Sequence, residues 1–183
     1  MKKIAIGGMF ILALAGLVTG QGTYMTNEGT IVFYSHTSIE DITAENNEVA
    51  SVIDSENGEV AVIVQMTAFK FAKSLMQVHF NENYVESEKF PKAIFKGSIL
   101  NNQDVDYTSN GVYSVRVEGE LTIHGVTNQV SSEGTVEVTG EGVIAITKFL
   151  LNPEDYGISI PNVVRKNIAE NMEIRINLIH KPI

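Results

Sequence analysis

The sequence predicts an all-β protein, an antiparallel barrel of eight or nine strands, on three observations. First, residues 113 to 124 alternate without a break. Tyr113, Val115, Val117, Gly119, Leu121 and Ile123 face one way, and Ser114, Arg116, Glu118, Glu120, Thr122 and His124 the other. A strand with one face on a core and the other in water produces this pattern. Second, runs rich in β-branched and aromatic residues recur along the chain, with short connections between most of them. Such connections leave no room for crossover helices, so neighbouring strands pair antiparallel. Third, Gly119 falls mid-strand on the apolar side. A glycine there lets a long strand bend or bulge, as a tightly curved sheet requires. An open sheet of this many strands exposes two edges, and closure removes them. The strand pattern alone fits a sandwich as well, and the bent strand at 113–123 favours the barrel.

In chain order, Lys2 and Lys3 precede an uncharged, mostly apolar run from Ile4 to Val18, and Val18-Thr19-Gly20 ends it with small residues. Residues 1–20 read as a secretory signal peptide, with cleavage expected after Gly20. The apolar run is short for a membrane span and is interrupted by Gly7, Gly8 and Gly16. The rest, 21–183, reads as one domain placed in the periplasm or secreted, and not as an integral membrane protein.

Thr30–Thr37 and Val49–Ile53 are the first two strand-like runs, with Asn46-Asn47 and Glu56-Asn57-Gly58 as turn signals. In the next run, Glu59–Met66, the even positions Val60, Val62, Val64 and Met66 are all apolar. Residues 69–84 break the alternation. Phe69, Ala72, Leu75, Met76 and Phe80 recur there at helical spacing. Ala93–Ile99 alternates again, with Phe95 and Ile99 opposite Lys96 and Ser98. After the 113–124 strand, Val130–Thr139 alternates and Val143–Leu151 is apolar on both faces. Asn162–Asn171, after Pro161, is a second candidate for a helical turn. Glu173–His180 closes the chain, with Ile174, Ile176 and Leu178 on one side.

Composition excludes several functions. There is no Cys, which removes disulfides, thiolate metal sites and cysteine nucleophiles. The net charge is −9; loss of Lys2 and Lys3 leaves 11 basic residues against 22 acidic, a charge of −11. That balance argues against a nucleic-acid binder, which needs clustered Lys and Arg. The four histidines, His36, His79, His124 and His180, show no metal-ligand spacing and read as surface or turn residues. No nucleophile elbow and no phosphate-cradling glycine loop occur. No metal and no cofactor are expected. The apolar inventory remains: Met66, Phe69, Phe71, Met76, Phe80 and Phe90 fall close together. They fit core packing or the lining of a pocket for a long apolar chain, and the pattern does not decide.

Three blocks are more specific. His79-Phe80 is followed by Glu86, Ser87, Lys89, Phe90, Pro91, Ala93, Phe95 and Gly97; then come Gly119, Leu121, Thr122, Ile123, His124, Gly125, Val126 and Thr127; then Asp155, Tyr156 and Gly157. In this order and spacing they resemble the YceI-like family of exported lipid-binding proteins, over residues from about 30 to the C-terminus. The chain departs from the family pattern in carrying Val78 ahead of His79.

The resemblance implies an elongated, eight-stranded, lipocalin-like antiparallel barrel with one or two short helical segments near a mouth. It also implies a binding protein and not an enzyme. The ligand would be a polyisoprenoid, an isoprenoid quinone or a fatty-acyl amphiphile. The strand pattern agrees, since it puts Val62, Val64, Phe95, Tyr113, Val115, Ile123, Ile174 and Ile176 inside with no inward charge. Phe69, Phe71, Leu75, Met76 and Phe80 complete the expected apolar lining. A homodimer is allowed for. Two alternatives stand beside the carrier: an exported enzyme using His79 or His124 as acid or base, and a solidly packed envelope module.

Overall fold

The computed structural model describes residues 22–183, so the expected signal segment lies outside the described residues. Nine strands form: β1 (Thr23–His36), β2 (Asp41–Asp54), β3 (Glu59–Gln65), β4 (Lys70–Phe71), β5 (Lys92–Ile99), β6 (Gly111–Ile123), β7 (Val126–Thr139), β8 (Gly142–Leu151) and β9 (Met172–Pro182). Eight of them close a ring in the order β1-β9-β8-β7-β6-β5-β3-β2, with β2 pairing back onto β1, and every pairing is antiparallel. The two-residue β4 adds to β2 at Ala44 and Glu45, where β3 has already left it. Closure meets the expectation of an eight-stranded antiparallel barrel and joins the two outer strands of the sheet to each other.

Local chemistry explains the joints. His124 and Gly125 have φ of 51° and 77° and link the paired residues Ile123 and Val126. Two positive-φ residues between antiparallel strands make the tight hairpin turn whose twist matches the sheet. Gly97 pairs with Gly119 across β5 and β6 in unbroken register, so the expected relief at Gly119 is a close approach and not a bulge. A Cβ on Gly119 would lie 2.5 Å from the Cα of Gly97, and one on Gly97 2.6 Å from Cζ of the Phe95 ring.

Three expectations about elements are corrected. Asn46-Asn47 is no turn: β2 runs through it, opposite a register shift around Gly29. Asn46 is buried and donates to the carbonyl of Gln65 at 2.8 Å, so the asparagine satisfies strand backbone at an irregularity. Residues 162–167 form consecutive turns, 168–171 are bends and irregular backbone, and no helix forms; Asn167 N donates to Val164 O and Val164 N to Pro161 O. Over 69–84 only Ser74–His79 is α-helix (α1), continued by a π-helical turn at Phe80–Tyr84 in which Val85 N donates to Phe80 O.

The two ends of the barrel differ. At one end the connections are hairpins, and the 100–110 loop folds over the opening. Tyr107 there stacks on Tyr24 at 5.9 Å and donates to Asn102 Oδ1 at 2.8 Å. Burial pushes the Tyr107 hydroxyl up to about 12. Ile53, Ile99, Val105, Val115, Val136, Val138 and Val143 complete this packed floor. The opposite end carries the two long connections, 66–91 and 152–171.

Candidate functional site

Above the floor the barrel encloses an apolar cavity of about 420 Å³. The strands supply Val62 and Val64 from β3, Phe95 from β5, Val115 and Ile123 from β6, and Ile174 and Ile176 from β9. Each stands at the inward position of the two-residue strand period. The crossover supplies Phe69, Phe71, Met76 and Phe80. Two residues expected in the lining are elsewhere. Leu75 is 63% exposed on the outer side of α1, because its neighbour Met76 takes the inward position of that short helix. Tyr113 packs against the floor cluster, below the cavity.

Phe80 and its neighbours cover the far end. Phe33, Phe69, Phe71 and Phe80 meet ring to ring at centroid distances of 5.1–5.7 Å. α1 with its π turn lies over this aromatic cluster from one side, and Ile158, Ile160, Val164 and Ile168 of the 152–171 segment pack in from the other. Glu40 ties the cover down. Its carboxylate pairs with Lys73 at 2.7 Å and accepts from Asn167 at 3.2 Å. The hydrogen bonds from Lys73 and then Asn167 hold the Glu40 carboxyl below its ordinary pKa, against partial desolvation. Glu40 and His79 border the cavity, so its wall is not wholly free of ionisable groups, contrary to the expectation from strand alternation. The alternation missed them because both lie outside the strands.

Several lining residues escaped the sequence reading. Ile31 and Phe33 sit in a run recognised as strand but not assigned an inward face, and Phe149 and Leu151 lie in a run apolar on both faces. Ile158 and Ile160 alternate just before Pro161, a signal that was legible. The histidines are not uniformly surface groups. His180 is 1% exposed and hydrogen-bonds Ser51 Oγ at 3.0 Å, and burial holds it below the ordinary imidazole pKa.

A second constellation stands just outside the cavity, at the β6–β7 turn. His124 Nε2 lies 2.7 Å from Glu86 Oε2, its Nδ1 lies 3.3 Å from the carbonyl of Tyr156, and its ring meets Phe90 edge-on at 4.5 Å. A Cβ on Gly125 would lie 2.7 Å from the Phe90 ring. Asn128 donates to the carbonyl of Asp155 at 2.9 Å. Both histidine nitrogens are thus occupied in joining the 86–90 turn, the 124–125 hairpin and the 153–156 turn.

Residues 23–179 match the YceI-like domain. The chain belongs to this family. Among solved structures, a polyisoprenoid binding domain from Saccharophagus degradans, implicated in plant cell wall breakdown, is similar at 12% identity with a TM-score of 0.76; the match covers 89% of this chain and 99% of that one. BcnA of Burkholderia cenocepacia is similar at 12% identity and a TM-score of 0.69, over 82% of this chain and 95% of that one. The Campylobacter jejuni YCEI protein is similar at 10% identity and a TM-score of 0.55, over 100% and 99%. No curated protein matches the sequence. The three blocks of YceI-like residues, far apart in the chain, come together at His124: Glu86 and Phe90 of the first, His124 and Gly125 of the second, and Tyr156 of the third. Their shared corner is structural, where the turns that shape the covered end are locked to one another.

Proposed function

We propose that this YceI-like protein binds and carries a long apolar molecule of the cell envelope, a polyisoprenoid, isoprenoid quinone or fatty-acyl amphiphile, in the periplasm or outside the cell. The single observation that carries the reading is the cavity: a closed barrel whose interior is lined almost wholly by apolar side chains, with a volume typical of small-molecule sites. The polyisoprenoid binding domain of the same fold supports the choice of ligand class.

Magnitudes favour a long chain. Each methylene buried gains about 0.8 kcal/mol. Association costs roughly 4–15 kcal/mol before any affinity appears; ten carbons supply about 8 kcal/mol and twenty about 16, so only the longer chain exceeds the whole of that cost. No ionic anchor is needed at that length.

His124 does not border the cavity and has both nitrogens engaged, which favours binding over catalysis by that residue. Mass spectrometry of an organic extract of the purified protein tests the proposal. A prenyl or acyl species in stoichiometric amount is expected, together with uptake of an added long-chain probe. Protein that yields no lipid and takes up no probe would overturn it.

A further inference from the structure

The wall of the barrel is not continuous. β7 pairs with β6 along its whole length, from Val126 to Val138, yet pairs with β8 only from Gly134 to Thr139. β8 pairs with β9 through Leu151, while its pairing to β7 ends at Thr147. Residues 126–133 and 148–151 therefore diverge and leave a slit in the half of the barrel nearer the cover. Hydroxyls take over at its apex: Thr147 donates to the carbonyl of Glu133 at 2.7 Å, and Ser132 donates to that of Lys148 at 3.3 Å. The Asn128–Asp155 bond closes its other end.

The cavity reaches this slit. On every other strand of the ring, the lining consists of inward positions. On β7 and β8 it also includes the outward residues Ser131, Thr135 and Ile146. Val130, Ser131, Phe149 and Leu151 line both the cavity and an outer cleft that continues over Asn128, Gln129, Asn152 and Asp155. One barrel end is packed by Tyr24 and Tyr107, and the other is covered by the four phenylalanines, with Glu40 and His79 at the margin of the cavity there.

We propose that the β7–β8 slit is the opening of the binding cavity and holds the head of the bound chain, a polar but uncharged head such as an alcohol, ester or quinone carbonyl. This rests on the carrier reading above. The groups along the slit are amides and hydroxyls, and the two diverging strands present backbone donors and acceptors to it. The one ionised side chain lining the cleft is Asp155, while Glu133 and Lys148 stand exposed at the apex of the slit; no Lys or Arg lines either the cavity or the cleft. A phosphate or carboxylate head in the cleft would be desolvated beside the Asp155 carboxylate with no cation in the cleft lining.

The test uses two ligands that share a chain, geranylgeraniol and geranylgeranyl phosphate, displacing the fluorescent apolar probe N-phenyl-1-naphthylamine. The alcohol is expected to displace it at about tenfold lower concentration, and Gln129→Lys to shrink that preference by supplying a cation. Equal or better displacement by the phosphate in the unmodified protein would overturn the head-group assignment. The route is read from exchange rates. The chain has no native cysteine, so Ser131→Cys, or Gln129→Cys if the first does not fold, carries a bulky maleimide at the slit alone. Probe exchange is expected to slow about tenfold, and the same label on Leu75→Cys over the cover to leave it within about twofold. The reverse result would place the opening at the cover. If neither alcohol nor phosphate displaces the probe, the carrier reading itself fails.

Discussion

At the scale of single residues, close backbone approach outweighs side-chain preference at Gly119. By strand propensity alone, valine there should stabilise β6, on a scale spanning ~1 kcal/mol. Its Cβ would instead sit 2.5 Å from the Cα of Gly97 and against the carbonyl of Lys96. These are backbone atoms that cannot rotate aside, and overpacking typically costs about 1–3 kcal/mol or more. Gly119→Val is therefore expected to destabilise by at least about 3 kcal/mol in denaturant unfolding; a stabilised variant would show that the strands separate freely here. His180 makes a second prediction. Burial lowers its pKa, with the backbone carbonyls of Val143 and Leu178 pulling part of the way back. The native state keeps the ring neutral, while the unfolded chain binds a proton below about pH 6.5. Stability is complete above that pH and declines as pH falls through it toward the lower folded-state pKa. His180→Gln is expected to flatten the fall in unfolding midpoint between about pH 6.5 and 5, and an unchanged slope would assign the fall to another group. Half-buried Glu40 and exposed Asp41, held low by Lys73 and His36 respectively, lose their contribution only under more acid conditions.

At the scale of elements, the cover depends on tertiary contacts. α1 has six residues, far too few to persist alone. Phe80, at the start of the π turn, anchors it by packing on Phe33, Phe69 and Phe71. Phe80→Ala is expected to raise proteolytic cutting within residues 72–84 by more than about tenfold while the unfolding midpoint moves little, since opening of the cover is local. Equal loss of protection in β1 and β2 would mean that cover and barrel unfold as one unit. The helical spacing of Phe69, Ala72, Leu75, Met76 and Phe80 located this element in the sequence but not its direction. With so short a helix, one position of rotation decides whether Leu75 or Met76 faces inward, and that rotation is set by where Phe80 docks. The false turn at Asn46-Asn47 has a related cause: asparagine serves turns and strand irregularities by the same side-chain bonds to backbone.

At the scale of the molecule, period-two alternation made the strands and most of their inward faces legible. Which strands would close the ring was not legible, because β1 joins β9 through residues far apart in the sequence. The slit left one trace. Val143–Leu151 is apolar on both faces, and outward Ile146 and Leu150 remain 46% and 68% exposed beside it. A wall segment that faces water on one side should be polar there, so apolar residues on both faces mark a place where inside and outside meet. Hydrogen exchange tests the slit without any ligand. Along an antiparallel strand, successive amides point alternately to the two neighbours. Between residues 134 and 138, β7 has partners on both sides, and protection should be continuous. Between 126 and 133 only the amides directed at β6 have a strand partner. Protection there should alternate, strong toward β6 and weak toward the slit, and on β8 it should fall in the same way beyond Thr147. Continuous strong protection through 126–133 would mean that β7 and β8 pair fully in solution and that the barrel wall is closed at this point.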